Sequence, residues 1–371
     1  MSFLCKFKIE SWICIKKHPQ IHPDTDRISA LVSYNREPLF PEAEGLEKGW
    51  GKQTACDSVM TIEILSFIIR KSRFTKGGRS SNIERMSTVS DNVEALVKLA
   101  LDEDFGSGDV TSLYFVPENL QARALLRPRT SGVLSGVEVA RAVFKAVDPS
   151  LKVEVYLHDG DHVSPGAIVM MIEGKAQSIL GAERTALNFI QRLSGVATMT
   201  NKYVQAIAHT GCKLLDTRKT TPGYRLLEKA AVVHGGGNNH RLGLYDRAMV
   251  KDNHLMTDGD TTHLQNCINK LKADRPGVEV ELEADNLTQV EAFLKLTGVD
   301  YILLDNMSND DMRKAIELRG SNAKPYFEAS GGLTFETAPA AAETGVDFMS
   351  FGCLTHSVPS MDLGLDFTVE R

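Results

Sequence analysis

The chain has 371 residues, 42% of them hydrophobic and 24% charged, with a formal net charge of −6. This is an ordinary globular balance, long enough for two domains with their own cores. Six cysteines without CxxC spacing signal neither a zinc site nor a disulfide framework, and no apolar run approaches the roughly 20 residues that cross a bilayer. These features suggest free thiols in a reducing compartment, here taken as the cytoplasm, and no membrane partner.

Residues 1–85 differ from the rest. They carry 14 Lys and Arg against 10 Asp and Glu, leaving 28 against 38 over residues 86–371, and they hold Trp12 and Trp50, both of the chain's tryptophans. They lack sustained periodicity and a secretory pattern, and their acidic residues argue against a transit peptide. They are read as an unstructured extension or a non-native start, with Met86 as a plausible mature beginning.

Val93, Leu96, Val97 and Leu101 recur at helical spacing after the capping residue Asp91. A turn-rich loop follows from Asp104 to Thr111, then short strands over 121–127 and 133–136 and a helix over 137–147. Residues 153–172 read as strand, turn, strand. Their Gly160-Asp161-x-Val163-x-Pro165-Gly166 pattern is like that of biotinyl and lipoyl carrier domains. Met170-Met171-Ile172 stands where a carrier would need its modifiable lysine, so the segment is read as scaffold. A long helix is expected over 178–209, its apolar stripe drawn from Leu187, Ile190, Leu193, Val196 and Ala197.

From there strands and helices alternate, with strands at 213–217, 248–250, 278–282, 301–304, 326–328 and 348–351. Alternation of this kind predicts parallel βαβ units closed, or nearly closed, into a barrel. An open doubly wound sheet is the competing arrangement, but no GxGxxG follows any strand. The expected fold is thus α/β, an N-terminal α/β sandwich domain over 86–200 followed by an incomplete TIM-like barrel over 201–371.

Polar residues cluster where the strands end. Arg218 and Lys219 follow the first, and Lys251, Asp252 and Asn253 the second. Glu281 and Glu283 end the third, and Asp305 and Asn306 follow the fourth. Ser330, Gly331 and Gly332 follow the fifth, and Gly352 the sixth. In barrels of this class that rim is where chemistry is done. Residues 216–254 are locally cationic, with Arg218, Lys219, Arg225, Lys229, Arg241, Arg247 and Lys251, a pattern suited to a small polyanion. The acidic balance of the body opposes a nucleic-acid partner. Gly235-Gly236-Gly237 before His240 and Arg241, and the glycines at 331, 332 and 352, are expected to let backbone approach a ligand. Glu281 and Asp305, on adjacent strands, could hold Mg²⁺ through oxygen. Spacing does not choose between Glu281 and Glu283, which share a face. Lys251 as the Schiff-base lysine of an aldolase is a further option.

The strings Asp216-Thr-Arg-Lys-Thr-Thr-Pro-Gly-Tyr-Arg225, Gly235-Gly-Gly-Asn-Asn-His-Arg-Leu-Gly-Leu244 and Glu328-Ala-Ser-Gly-Gly332 resemble the quinolinate phosphoribosyltransferases, as do Glu183-Arg-Thr185 and Gly352-x-Leu354-Thr-His-Ser357. The resemblance covers roughly residues 87–371. It implies transfer of phosphoribosyl from 5-phosphoribosyl 1-pyrophosphate to quinolinate with decarboxylation, Mg²⁺ as cofactor, and a homodimer in which Arg184 enters the neighbouring site. It further implies that Arg184, Arg218, His240 and Arg241 hold the quinolinate carboxylates, with Thr217 beside them. Lys219 and Lys251 would meet the phosphoribosyl pyrophosphate, Glu281 and Asp305 the metal or ribose hydroxyls, and Ser330, Gly331, Gly332, Gly352 and His356 the 5-phosphate.

Overall fold

The computed structural model describes residues 79–251 and 261–369. The rest of the proposed extension lies outside them, as do Asp252, Asn253 and His254. Helix α1 runs Arg79–Phe105, so residues 79–85, read above as extension, are already helical. Once the apolar stripe at 93–101 nucleates a helix, each added residue gains a hydrogen bond for one pair of fixed dihedrals, so it propagates N-terminally. Asp109 caps the short helix α2 (Val110–Phe115), its carboxylate accepting from the Thr111 and Ser112 N–H groups at 3.0 Å each.

The sandwich comprises β1 (Gln121–Pro128), β2 (Gly132–Val133), α3 (Val137–Val147), β3 (Lys152–Val155), β4 (His162–Val163), β5 (Met170–Lys175) and α4 (Ala176–Ala206). Strand β1 buries Ala122, Ala124 and Leu126 at every second position, the period of a strand with one covered face. Met170 and Ile172 on β5 are fully buried, which fits a packed scaffold strand. A last strand, β12 (Leu363–Val369), pairs antiparallel with β1, giving a four-stranded order β12-β1-β5-β3. This amends the expected division of the chain, since the end of the 201–371 segment returns to the first domain. The contact is cemented by Leu363, buried in the core, and by Arg127 and Arg129 on Asp366.

The second body contains β6 (Lys213–Leu215), α5 (Arg225–His234), β7 (Arg247–Val250), α6 (Thr261–Asp274), β8 (Glu279–Ala284) and α7 (Leu287–Phe293). It continues with β9 (Tyr301–Asp305), α8 (Asn309–Arg319), β10 (Tyr326–Ser330), α9 (Ala338–Ala342), β11 (Phe348–Ser350) and α10 (Cys353–His356). Its six strands are parallel in the order β6-β11-β10-β9-β8-β7. Chain order is kept around the sheet and the break falls between β6 and β7, where Asn238 makes a single bridge to Leu215. This is an incomplete barrel, as the alternating pattern predicts. Among the described residues no helix is long and apolar enough to cross a membrane.

The Gly235–Gly237 run serves this architecture. A Cβ on Gly235 would lie 2.3 Å from the Ala197 carbonyl oxygen, and one on Gly237 would lie 2.8 Å from Thr200. The run lets the turn after α5 press against the backbone of α4.

Candidate active site

Asp216, directly after β6, is fully buried and organises one side of the barrel mouth. It accepts from Lys229 Nζ at 2.5 Å, Asn239 Nδ2 at 2.6 Å and the His240 N–H at 2.8 Å, while Lys229 also donates to the His240 carbonyl at 3.0 Å. Burial pushes the Asp216 carboxyl above its usual range and the Lys229 ammonium below its own; the partners' mutual attraction opposes both shifts. The segment that carries His240 and Arg241 is thereby fixed to β6 and α5.

His240 faces inward. Its Nε2 lies 3.2 Å from a Glu281 oxygen and 3.3 Å from a Glu328 oxygen, and both carboxylates are fully buried. Burial disfavours the imidazolium, but hydrogen bonding to Glu281 and Glu328 and their charges outweigh it, raising the His240 pKa to about 9. The Arg241 N–H, 2.6 Å from Nδ1, works the other way by favouring a lone pair on that atom. Either way Nε2 is the ring atom that faces the two carboxylates. Burial, then the neighbouring Glu328 charge, raises the Glu281 carboxyl. Burial would raise Glu328 too, but His240 beside it holds it below the usual range. The three side chains are close enough to hold a metal ion together. A ligating imidazole, however, offers a bare nitrogen to the metal and donates its other N–H to an acceptor. Here Nδ1 instead accepts the Arg241 N–H, and Nε2, within 3.3 Å of both carboxylates, makes no hydrogen bond of good geometry to them.

Two of the expected site residues are thus held beside buried charged partners. His240 directs its Nε2 at the buried carboxylates of Glu281 and Glu328. Glu281 is committed to His240 and to Arg247, whose Nη1 is 3.5 Å away, so it does not present oxygens at the rim. Glu283, on the same face two residues on and only partly buried, does so and pairs with Lys251.

Arg218 and Arg241 form the cationic wall. Arg225 braces it from behind, donating to Thr220 Oγ1 at 3.0 Å, the Leu242 carbonyl at 3.1 Å and the Arg218 carbonyl at 3.3 Å. Burial, and then the nearby Arg218 charge, pushes the Arg241 guanidinium below the usual arginine range. Arg218 Nε is buried and has no hydrogen-bond partner among the described residues. Two like charges held close, with a donor to spare, make a preformed anion site.

The remaining groups line the other strand ends. Thr217 Oγ1 accepts from the Lys219 N–H at 3.0 Å, shaping the loop. The Lys219 stem lies against Gly352, where a Cβ would sit 2.8 Å from Lys219 Cδ and 3.1 Å from His356 Nε2. Asp305 is in register with Ser330 and accepts from Asn306 Nδ2 at 2.7 Å. Gly331, at φ +82°, admits Asn306 where a Cβ would lie 2.4 Å from its Oδ1. Lys219, Asp305, Ser330, Gly331, Gly332, Gly352 and His356 thus sit on the strand-end loops of neighbouring β6, β9, β10 and β11. Glu283, paired with Lys251, and Asp305 place carboxylate oxygens on adjacent strands. Arg184 stands exposed in the first third of α4.

Sequence reading counted Lys229 only as a charge, and passed over Asp216, Arg192, Glu228 and Glu328 as site residues. Each works by pairing across elements far apart in sequence, which no local pattern announces.

The family model described as quinolinate phosphoribosyl transferase, N-terminal domain, matches residues 109–194, and the corresponding C-terminal domain model matches 196–366. A relative from Oryza sativa subsp. japonica, named nicotinate-nucleotide pyrophosphorylase [carboxylating], chloroplastic, is 41% identical over 295 residues, 75% of this chain and 78% of its own. One from Bacillus subtilis, a probable nicotinate-nucleotide pyrophosphorylase [carboxylating], is 40% identical over 72% of this chain and 91% of its own. The solved nicotinate-nucleotide pyrophosphorylase from Francisella tularensis superposes with a TM-score of 0.70 at 37% identity, covering 75% of this chain and 96% of that one.

Proposed function

We propose roles for individual residues from the premise that this chain belongs to the quinolinate phosphoribosyltransferase family. The enzyme transfers phosphoribosyl from 5-phosphoribosyl 1-pyrophosphate to quinolinate, yielding nicotinate mononucleotide, pyrophosphate and carbon dioxide, a step of NAD biosynthesis. The bond from the ribose anomeric carbon to pyrophosphate breaks, and the pyridine nitrogen takes its place. The alkylated nitrogen then draws the electron pair of the adjacent carbon–carboxylate bond. Carbon dioxide leaves, and that ring carbon takes up a proton.

In our reading Arg218 and Arg241 grip the quinolinate carboxylates, with Thr217 shaping their loop. His240 supports Arg241. Lys219, Ser330, Gly331, Gly332, Gly352 and His356 surround the 5-phosphate, where backbone N–H groups at the starts of short turns suit an anion. Lys251 stabilises negative charge as pyrophosphate departs. Glu283 and Asp305 would hold Mg²⁺, which when bound offsets pyrophosphate charge. Most of the rate gain comes from orientation and fixed charge.

The observation that carries this reading is the Arg218–Arg241 pair, whose like charges act on each other and whose buried Arg218 Nε has no hydrogen-bond partner among the described residues. The direct test supplies quinolinate and 5-phosphoribosyl 1-pyrophosphate and follows pyrophosphate and carbon dioxide in equal amounts. Absence of both from folded, Mg²⁺-supplied enzyme would remove it.

A homodimer is proposed as well. Tyr114 and Phe115 on α2 are each 82% exposed, beside exposed Val110 and Leu113, an apolar face in need of cover. Arg184, exposed on α4, is then free to enter a neighbour's site, and sedimentation at micromolar concentration tests the pairing. The proposed compartment is the cytoplasm, from the acidic residues within 1–85. An organellar address, as in the rice relative's name, is the competing outcome of a fluorescent-fusion experiment.

A further inference from the structure

Two loops carry most of the proposed anion contacts: residues 217–221 after β6, and residues 352–357 after β11. They meet through a closed circuit of hydrogen bonds. Thr355 Oγ1 donates to the Lys219 carbonyl at 2.8 Å. The Thr355 carbonyl in turn accepts from Arg192 Nη2, and Arg192 Nη1 donates to the Val358 carbonyl at 3.0 Å. The same guanidinium donates to Glu228 Oε1, from Nη2 at 2.8 Å and from Nε at 3.3 Å. Glu228 returns the circuit to the first loop, accepting from the Thr221 N–H and the Thr221 hydroxyl, each at 2.9 Å.

Glu228 and Thr355 are fully buried, and the Arg192 side chain is 25% exposed. A buried carboxylate has a high desolvation cost unless its oxygens are satisfied, and here donors from two elements satisfy it. The arginine is needed for its shape. Its planar fork reaches one carboxylate and two carbonyls at once, which a lysine's point charge cannot do. Residue 192 lies on α4, outside the barrel, so the circuit also fixes both loops to that helix.

We infer that Arg192 and Glu228 are positioning residues that set the spacing between the carboxylate-gripping loop and the 5-phosphate loop, and so the distance between the two bound substrates. This rests on the functional reading above. It differs from simple structural bracing in what it predicts: each substrate keeps most of its contacts on its own side, Lys219 alone crossing from the first loop to the 5-phosphate, and binds alone nearly as before, whereas the reaction needs both loops in correct register. A misplacement of about 1 Å between reacting groups is enough for a loss of order 100-fold.

The test uses full-length Glu228→Gln, Arg192→Lys and Thr355→Val. The expected result is a fall in kcat of about 100-fold for Glu228→Gln and Arg192→Lys and about 10-fold for Thr355→Val. Dissociation constants for quinolinate alone and for 5-phosphoribosyl 1-pyrophosphate alone should move less than about threefold. Amide hydrogen exchange should quicken in both 217–221 and 352–357 in every variant. Retained kcat in folded variants overturns the inference. So does a loss seen wholly as weaker binding of one substrate, or faster exchange in one loop only. Thr355→Val removes a single hydroxyl at constant shape, so it decides the matter alone should the other variants not fold. If the wild type itself makes no nicotinate mononucleotide, the functional reading fails, and the exchange pattern still judges the coupling of the loops.

Discussion

The two ends of the barrel treat arginine in opposite ways. Near the start of the strands Arg247 is enclosed by its partners. Its guanidinium is 2.8 Å from Glu279 and 3.5 Å from Glu281, and lies 3.9 Å above the Tyr301 ring. Burial would weaken its charge, but Glu281 and then Glu279 more than restore it and hold its pKa above the ordinary value. Arg241, whose Nη1 donates to the Arg247 carbonyl at 3.1 Å, is pushed in the other direction by burial and by Arg218, and at the mouth the buried Arg218 Nε has no hydrogen-bond partner among the described residues. The same side chain closes a balanced network at one end and leaves an unbalanced charge at the other. A dianionic ligand would correct the imbalance at the mouth.

If that contrast holds, Arg218→Ala should have the largest catalytic effect. Loss of a guanidinium that meets a carboxylate in a water-poor site removes charge-assisted bonds and should lower kcat/KM for quinolinate on the order of 10³-fold. The melting temperature should barely change, because Arg218 makes few internal bonds. Steady-state kinetics with calorimetry checks both halves. A variant that keeps its kcat/KM, or one that chiefly unfolds, would erase the distinction between the two ends.

Arg247→Met probes the other end with the opposite signature. It leaves Glu281 buried beside Glu328 without its guanidinium, a loss of about 3–5 kcal/mol. At roughly 2–4 °C per kcal/mol for a chain of this size class, Tm should fall by about 10 °C. Turnover per folded molecule should stay within a fewfold of wild type. Equal melting temperatures would show that the lower network is not holding the barrel together.

The sequence announced the mouth better than it announced the lower network. Polar residues at strand ends are a local signal, so Arg218, Lys219, Asp305 and Ser330 could be read one strand at a time. Glu281 and Glu283 could not be separated that way. They share a face, and what distinguishes them is depth: Glu281 meets His240 and Arg247, whereas Glu283 meets Lys251. Those partners come from other segments, and only the folded barrel brings them in. The Gly235–Gly237 run is ambiguous for a similar reason, since glycines that admit a ligand and glycines that admit a helix look alike in sequence. Strand β12 has readable alternation, but its partner β1 lies more than 200 residues away, so its return to the first domain left no local trace.

The smallest effect predicted concerns His240, which sits between the two ends and belongs energetically to the lower one. Its folded pKa is about 9, against about 6.5 in an unfolded chain. The native state therefore binds the proton more tightly, and the stability this gives is fully present below about pH 6.5. Between about pH 6.5 and pH 9 the unfolded chain has released the proton and the native protein keeps it, so unfolding free energy should decline by at most about 1.4 kcal/mol per pH unit from this group. Above pH 9 the contribution has gone and the decline should flatten. Denaturant midpoints from pH 6 to 10 would trace this, with His240→Gln as control. The control should be less stable at pH 6.5 and should lose the slope in that window, because glutamine carries no proton to release. A wild type whose midpoint stays level from pH 7 to 9, or a control with the same slope, would mean that the Arg241 N–H at Nδ1 prevails over the two carboxylates and the ring is neutral throughout. His240 would then support Arg241 through its hydrogen bonds alone, with no charge of its own.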